Sequence, residues 1–97
     1  MQQNVGLAER RAGGRKDVCL EGRLRLRDGT YLPCTVRSIS AMGAGIELAS
    51  ETFVPLTFRL QILTDLFDVE CELRNRQGNF IGVEFTSSRA EAMARYG

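Results

Sequence analysis

Apolar and polar residues alternate through most of this chain, and the period is two rather than that of a helix. Over residues 17–27, Val18, Leu20, Leu24 and Leu26 share one parity, while Cys19, Glu21, Arg23, Arg25 and Arg27 share the other. That is the pattern of a half-buried strand. Asp28-Gly29 marks a hairpin turn, and a return strand over 30–39 keeps Leu32, Cys34 and Val36 in step. Pro33 marks an edge or an irregular stretch of that strand. Small residues over 38–43 lead into a third strand, 44–48, and a loop over 50–55 closes at Pro55. A fourth strand, 56–63, holds Phe58, Leu60 and Ile62 in phase, and Thr64-Asp65 turns the chain into the fifth. In that strand, 67–76, Phe67, Val69, Cys71 and Leu73 oppose Asp68, Glu70, Glu72 and Arg74. Gln77-Gly78-Asn79 is the next turn, and in the sixth strand, 80–86, Gly82 marks a close approach of backbone. Ser87 or Ser88 is placed to cap a short final helix, with Glu91 in its first turns and Ala90, Ala92, Met93, Ala94 and Tyr96 as its apolar residues.

Six strands joined by short turns predict a mainly all-β fold: a small six-stranded antiparallel β-barrel with a short C-terminal α-helix. Closing the sheet removes exposed strand edges. The 97 residues suffice for one domain, and 43% hydrophobic with 26% charged residues is the balance of a folded protein. The expected division is a flexible segment over 1–16 followed by the barrel and helix over 17–97.

The net charge of +1 conceals an asymmetry, because residues 1–27 hold seven basic side chains against three acidic ones. A local basic surface on a near-neutral chain points to a small anionic ligand and away from long nucleic acid. A nucleic-acid-binding barrel would also need a stacking platform, for which Tyr31 and Phe53 are the aromatics outside the expected core. No apolar run is long enough for a membrane span, and none near the start reads as a signal-peptide core. Cys19, Cys34 and Cys71 lack metal-ligand spacing and histidine is absent. Reduced, buried cysteines in a cytoplasmic protein with no metal site and no cofactor are therefore expected.

Catalysis finds no support in these residues. Histidine, the commonest general base, is missing, and no serine or cysteine has a visible activating partner. The carboxylates at 68, 70 and 72 alternate on the expected solvent face. Two other stretches carry chemistry. Arg10-Arg11-Ala12-Gly13-Gly14-Arg15 sets planar, permanently charged forks beside glycines that let backbone approach a ligand. In Ser38-x-Ser40-x-x-Gly43, two hydroxyls at i and i+2 project from one side of an extended chain, and Gly43 permits the sharp turn that follows.

In their order and separation, Arg11-x-x-x-Arg15, Ser38-x-Ser40-x-x-Gly43 and Ile81-Gly82-Val83-Glu84-Phe85 resemble the motifs of the PilZ domain family. Those motifs are RxxxR, (D/N)xSxxG and a late G-[VI]-x-F strand, and the resemblance spans residues 9–96. It implies a six-stranded barrel with a C-terminal helix that binds the bacterial second messenger cyclic di-GMP. Carried over, Arg11 and Arg15 become the ligand arginines, with Ser40 and Gly43 the serine and glycine of the second motif. Arg10, just before RxxxR, implies contact with a second, stacked ligand molecule. Ser38 stands where the family has Asp or Asn. Exchanging a charged for a neutral hydrogen bond there costs on the order of 1 kcal/mol, a several-fold loss of affinity. The implied function is a receptor whose N-terminal segment changes conformation on binding cyclic di-GMP and signals to an effector protein of motility, pilus or exopolysaccharide machinery. The alternative is a PilZ-like interaction module that does not bind the nucleotide.

Overall fold

The computed structural model describes residues 14–97. Strands form where the sequence alternates: β1 (Lys16–Arg25), β2 (Tyr31–Ile39), β3 (Gly43–Leu48), β4 (Thr57–Ile62), β5 (Phe67–Gln77) and β6 (Phe80–Phe85), followed by one helix, α1 (Arg89–Tyr96). All pairings are antiparallel, and the strands close into a barrel in the order β1-β2-β3-β6-β5-β4. The expected architecture is therefore the observed one.

Turn chemistry sets the registers. Gly29 (φ 91°) and Gly78 (φ 63°) occupy the left-handed region at the β1–β2 and β5–β6 hairpins, where a side chain would be strained. Asp28 Oδ1 accepts from the Thr30 amide at 2.9 Å, fixing the first turn. The β4–β5 turn differs, since Leu66, not a glycine, takes a positive φ of 52° there.

The inward parity of each strand fills the barrel. Leu24, Val36, Ile46, Leu60, Val69 and Phe85 are fully buried, and each such side chain contributes about 1.5–3 kcal/mol of burial. Phe67 meets Phe85 and Tyr96 edge-on, with ring centroids 5.8 and 5.4 Å apart, so α1 is fastened to the barrel by an aromatic contact. Of the apolar residues expected to anchor this helix, Ala92 and Tyr96 are buried while Met93 is exposed.

Three local expectations are corrected. Cys34 and Cys71 are buried, but Cys19 is exposed because it lies on the outward parity of β1. Ser88 is the N-cap residue of α1, yet its backbone is left-handed and its side chain makes no capping bond. Ser87 instead accepts from the Glu70 amide at 2.9 Å, tying the helix approach to β5. Pro33 pairs with Arg23 of β1 but lies one residue before the β2–β3 register begins, so β2 is an inner strand and the proline sits just outside its ladder with β3.

β4 is short, and this positions the site. It pairs with β1 only over Gly22–Arg25 and with β5 only over Phe67–Glu72. Beyond those rows the remaining five strands continue as a curved sheet with no β4 beneath it.

Candidate functional site

One register row crosses that five-strand extension. Asp17 pairs with Ser38, Ser38 with Gly45, Gly45 with Gly82, and Gly82 with Asn75. Adjacent strands lie about 4.8 Å apart, so Ser38 and Asn75 stand roughly 14 Å from each other with two side-chain-free residues between them. The two side-chain-free positions are overlain from opposite sides, Gly45 by the Ser38 and Arg15 side chains and Gly82 by the Asn75 amide, and a trough opens beside them.

Two bulges build the walls. In β2 the register slips between Val36 and Ser38, with Arg37 as the extra residue; in β5 it slips between Leu73 and Asn75, with Arg74 as the extra residue. By simple alternation Ser38 and Asn75 would share the inward parity of Val36 and Leu73. Each bulge reverses that parity and turns the polar side chain outward.

The Ser38 wall carries the cation. Arg15 Nη1 donates to Ser38 Oγ at 3.1 Å. A Cβ at Gly45 would sit 2.7 Å from that hydroxyl and 3.2 Å from Arg15 Nη1, so this contact requires the glycine. Among the described residues Arg15 has no carboxylate partner, as is true also of Arg23, Arg25, Arg27 and Arg76; of these five, Arg15 is the one that lines this trough. An uncompensated guanidinium at the rim of a trough is an anion receptor.

The second motif is mostly structural. Ser40 is 2% exposed; its hydroxyl accepts from the Met42 amide at 3.1 Å and lies 3.5 Å from the Gly43 carbonyl. Ser38 and Ser40 thus do not share a face, because the strand ends at Ile39 and the chain turns there. Gly43 is needed for space rather than for an unusual φ, since a Cβ would collide with the Val83 carbonyl oxygen. Both residues nevertheless line, with Arg15, Asn75 and Gly82, a cavity of about 360 Å³ that Ser38 and Gly45 border only through Arg15.

Arg74, Asn75 and Glu84 form the opposite wall. Arg74 Nε donates to Glu84 Oε1 at 2.7 Å, and Arg89 Nη2 donates to Oε2 at 3.1 Å. The Arg74 hydrogen bond holds the Glu84 carboxyl below its ordinary range, and Glu84 in turn keeps Arg74 charged. Gly82 was expected to admit close backbone; instead the Asn75 amide lies over it, with both Nδ2 and Oδ1 2.9 Å from where a Cβ would stand. A second basin, of about 320 Å³, opens between the end of β1 and the start of β4. Its Arg59 is already bound to Asp68 and Glu70.

Arg10 and Arg11 lie outside the described residues, so of the six expected ligand residues the structure brings together Arg15, Ser38, Ser40 and Gly43. Gly45, Arg74 and Asn75 were not anticipated. The signals for them are an isolated glycine in a strand and the polar run 74–77, where alternation breaks down. No group of three or more His, Cys, Asp or Glu side chains among the described residues could hold a metal ion, and no described helix is long and apolar enough to cross a membrane.

The family model of the PilZ domain matches residues 9–96. The chain belongs to the PilZ domain family. The match takes in Arg10 and Arg11 together with the whole barrel and α1, leaving out residues 1–8 and Gly97, so the PilZ domain accounts for nearly the entire chain. Membership places it among cyclic di-GMP receptor domains, which are binding modules rather than enzymes. A comparison with curated proteins gives no match.

Proposed function

We propose that this PilZ domain binds cyclic di-GMP in the trough and, on doing so, reorganises residues 1–16 to signal to an effector protein in the cytoplasm. The observation that carries this reading is Arg15: a guanidinium at the trough rim, seated on Ser38 and without a carboxylate partner among the described residues. The ligand supplies two phosphates for arginine forks and two guanines whose O6/N7 edges accept bidentate guanidinium contacts. Arg11 joins Arg15 on the ligand, and Arg10 reaches a second, stacked nucleotide. Ser40 and Gly43 hold the turn that closes one end of the trough. The proposed moving part is the segment ahead of β1, and the switch is an ordering of that segment on the ligand. Motility, pilus or exopolysaccharide machinery is the expected destination of the signal.

Titration calorimetry with cyclic di-GMP tests the proposal. Arg11→Ala and Arg15→Ala each weaken binding at least tenfold, whereas Arg95→Ala, remote at the β4–β5 turn, leaves it unchanged. Arg10→Ala lowers the stoichiometry from two ligands per chain to one. Absence of heat from the unmodified protein at about 100 μM ligand in low salt overturns the reading.

A further inference from the structure

We infer that Asn75 reads the guanine edge in this trough, its side-chain amide hydrogen-bonding a base that enters the cavity beside Gly82. The inference rests on the ligand proposed above and adds a specificity-determining residue outside the motifs that suggested that ligand.

Placement comes first. The β5 bulge reverses the parity of Asn75 and sets it opposite Gly82 in the register row that also holds Ser38 and Gly45. Its amide lies against the Gly82 backbone because no side chain is there to displace it. Arg15 and Asn75 line the same cavity, so a planar ring that enters it past Arg15 meets the Asn75 amide.

Availability comes second. Most polar groups around the trough are engaged: Ser38 accepts from Arg15, Ser40 is held within its turn, and Arg74 and Arg89 occupy the two oxygens of Glu84. Among the described residues the Asn75 amide has no hydrogen-bond partner, and it lines the trough while staying solvent-exposed. It is a reading group left open.

Chemistry comes third. An amide offers an acceptor oxygen beside donor hydrogens. The Watson–Crick edge of guanine offers the complement, the O6 acceptor beside the N1–H donor, so the two form a bidentate pair. Glu84 cannot make the corresponding contact while two guanidinium groups hold it.

The test uses the full chain, with cyclic di-GMP and an analogue methylated at guanine N1. Asn75→Ala weakens cyclic di-GMP binding about tenfold, as expected for two lost hydrogen bonds, and leaves the thermal midpoint unchanged because the side chain is exposed and unpartnered. The N1-methyl analogue binds the unmodified protein about tenfold more weakly than cyclic di-GMP, and Asn75→Ala weakens it no further. An Asn75→Ala affinity within twofold of the unmodified protein overturns the inference, as does an equal loss for both ligands. If the unmodified protein binds neither ligand, it is the proposed function that fails.

Discussion

Gly43 and Gly45 stand two residues apart on the same face of β3, yet they are glycines for different reasons. A methyl group at Gly43 would run into the Val83 carbonyl oxygen, part of the sheet backbone. One at Gly45 would meet only the tips of two polar side chains, Ser38 Oγ at 2.7 Å and Arg15 Nη1 at 3.2 Å. Gly43→Ala therefore forces strands apart, at a cost of about 2 kcal/mol, and lowers the Tm by roughly 8–16 °C for a domain of this size. Gly45→Ala leaves the Tm within a few degrees, because flexible side chains yield, but it dislodges Arg15 from Ser38 and, on the proposed function, reduces cyclic di-GMP binding. Thermal melts and calorimetry on both variants check this separation; a shared phenotype would contradict it.

The Tyr96 hydroxyl donates to Asp65 Oδ2 at 2.6 Å, pinning α1 to the β4–β5 turn alongside the bond from Arg95 Nη1 to the Asp65 carbonyl. Burial, and then the neighbouring Asp65 carboxylate, push the Tyr96 phenol above its ordinary value of 10.0. The folded state thus retains the proton longer than the unfolded state. The stabilisation is complete below about pH 10 and is lost as the pH rises through the folded value. Tyr96→Phe lowers stability by about 1.5 kcal/mol at neutral pH and flattens the alkaline decline. Denaturant unfolding between pH 8 and pH 11 measures both effects; an unaltered alkaline slope in the variant would refute this assignment.

Burial also sorts the three cysteines. Desolvation pushes the thiols of Cys34 and Cys71 up to about 12, which keeps them protonated and shielded, while Cys19 faces solvent. A chromogenic disulfide reagent should titrate one thiol promptly in the native protein and all three in denaturant. Cys19→Ser should remove the prompt phase, and more than one prompt thiol would show that the barrel interior opens.

Alternation reveals the strands because each has one buried face, and the turns are legible because glycine and aspartate have local conformational reasons to occupy them. The resemblance to PilZ domains reached Arg15 and Ser38 for the same local reason: their motifs are short and contiguous. Asn75 was out of reach. Its orientation depends on a bulge, and a bulge arises from how two strands settle against each other, not from either strand alone. Ser40 illustrates the opposite limit: its hydroxyl was expected beside that of Ser38, but the strand ends one residue earlier and the group is drawn into the turn. Cys19 was counted as buried from its apolar neighbours although its parity places it outside.

The short seam between β1 and β4 has a consequence of its own. The rows from Gly22–Ile62 to Arg25–Arg59 hold it, with the Leu63 amide donating to the Glu21 carbonyl at 3.1 Å just beyond them, and parting these breaks no hairpin. Parting this line would unroll the barrel into a single sheet and expose to water the one core that all six strands share. The Asp17–Ser38–Gly45–Gly82–Asn75 row lies entirely on the other side of the cut, within pairings that the unrolling leaves untouched. The candidate site and the barrel closure thus rest on different strand pairings joined through one core.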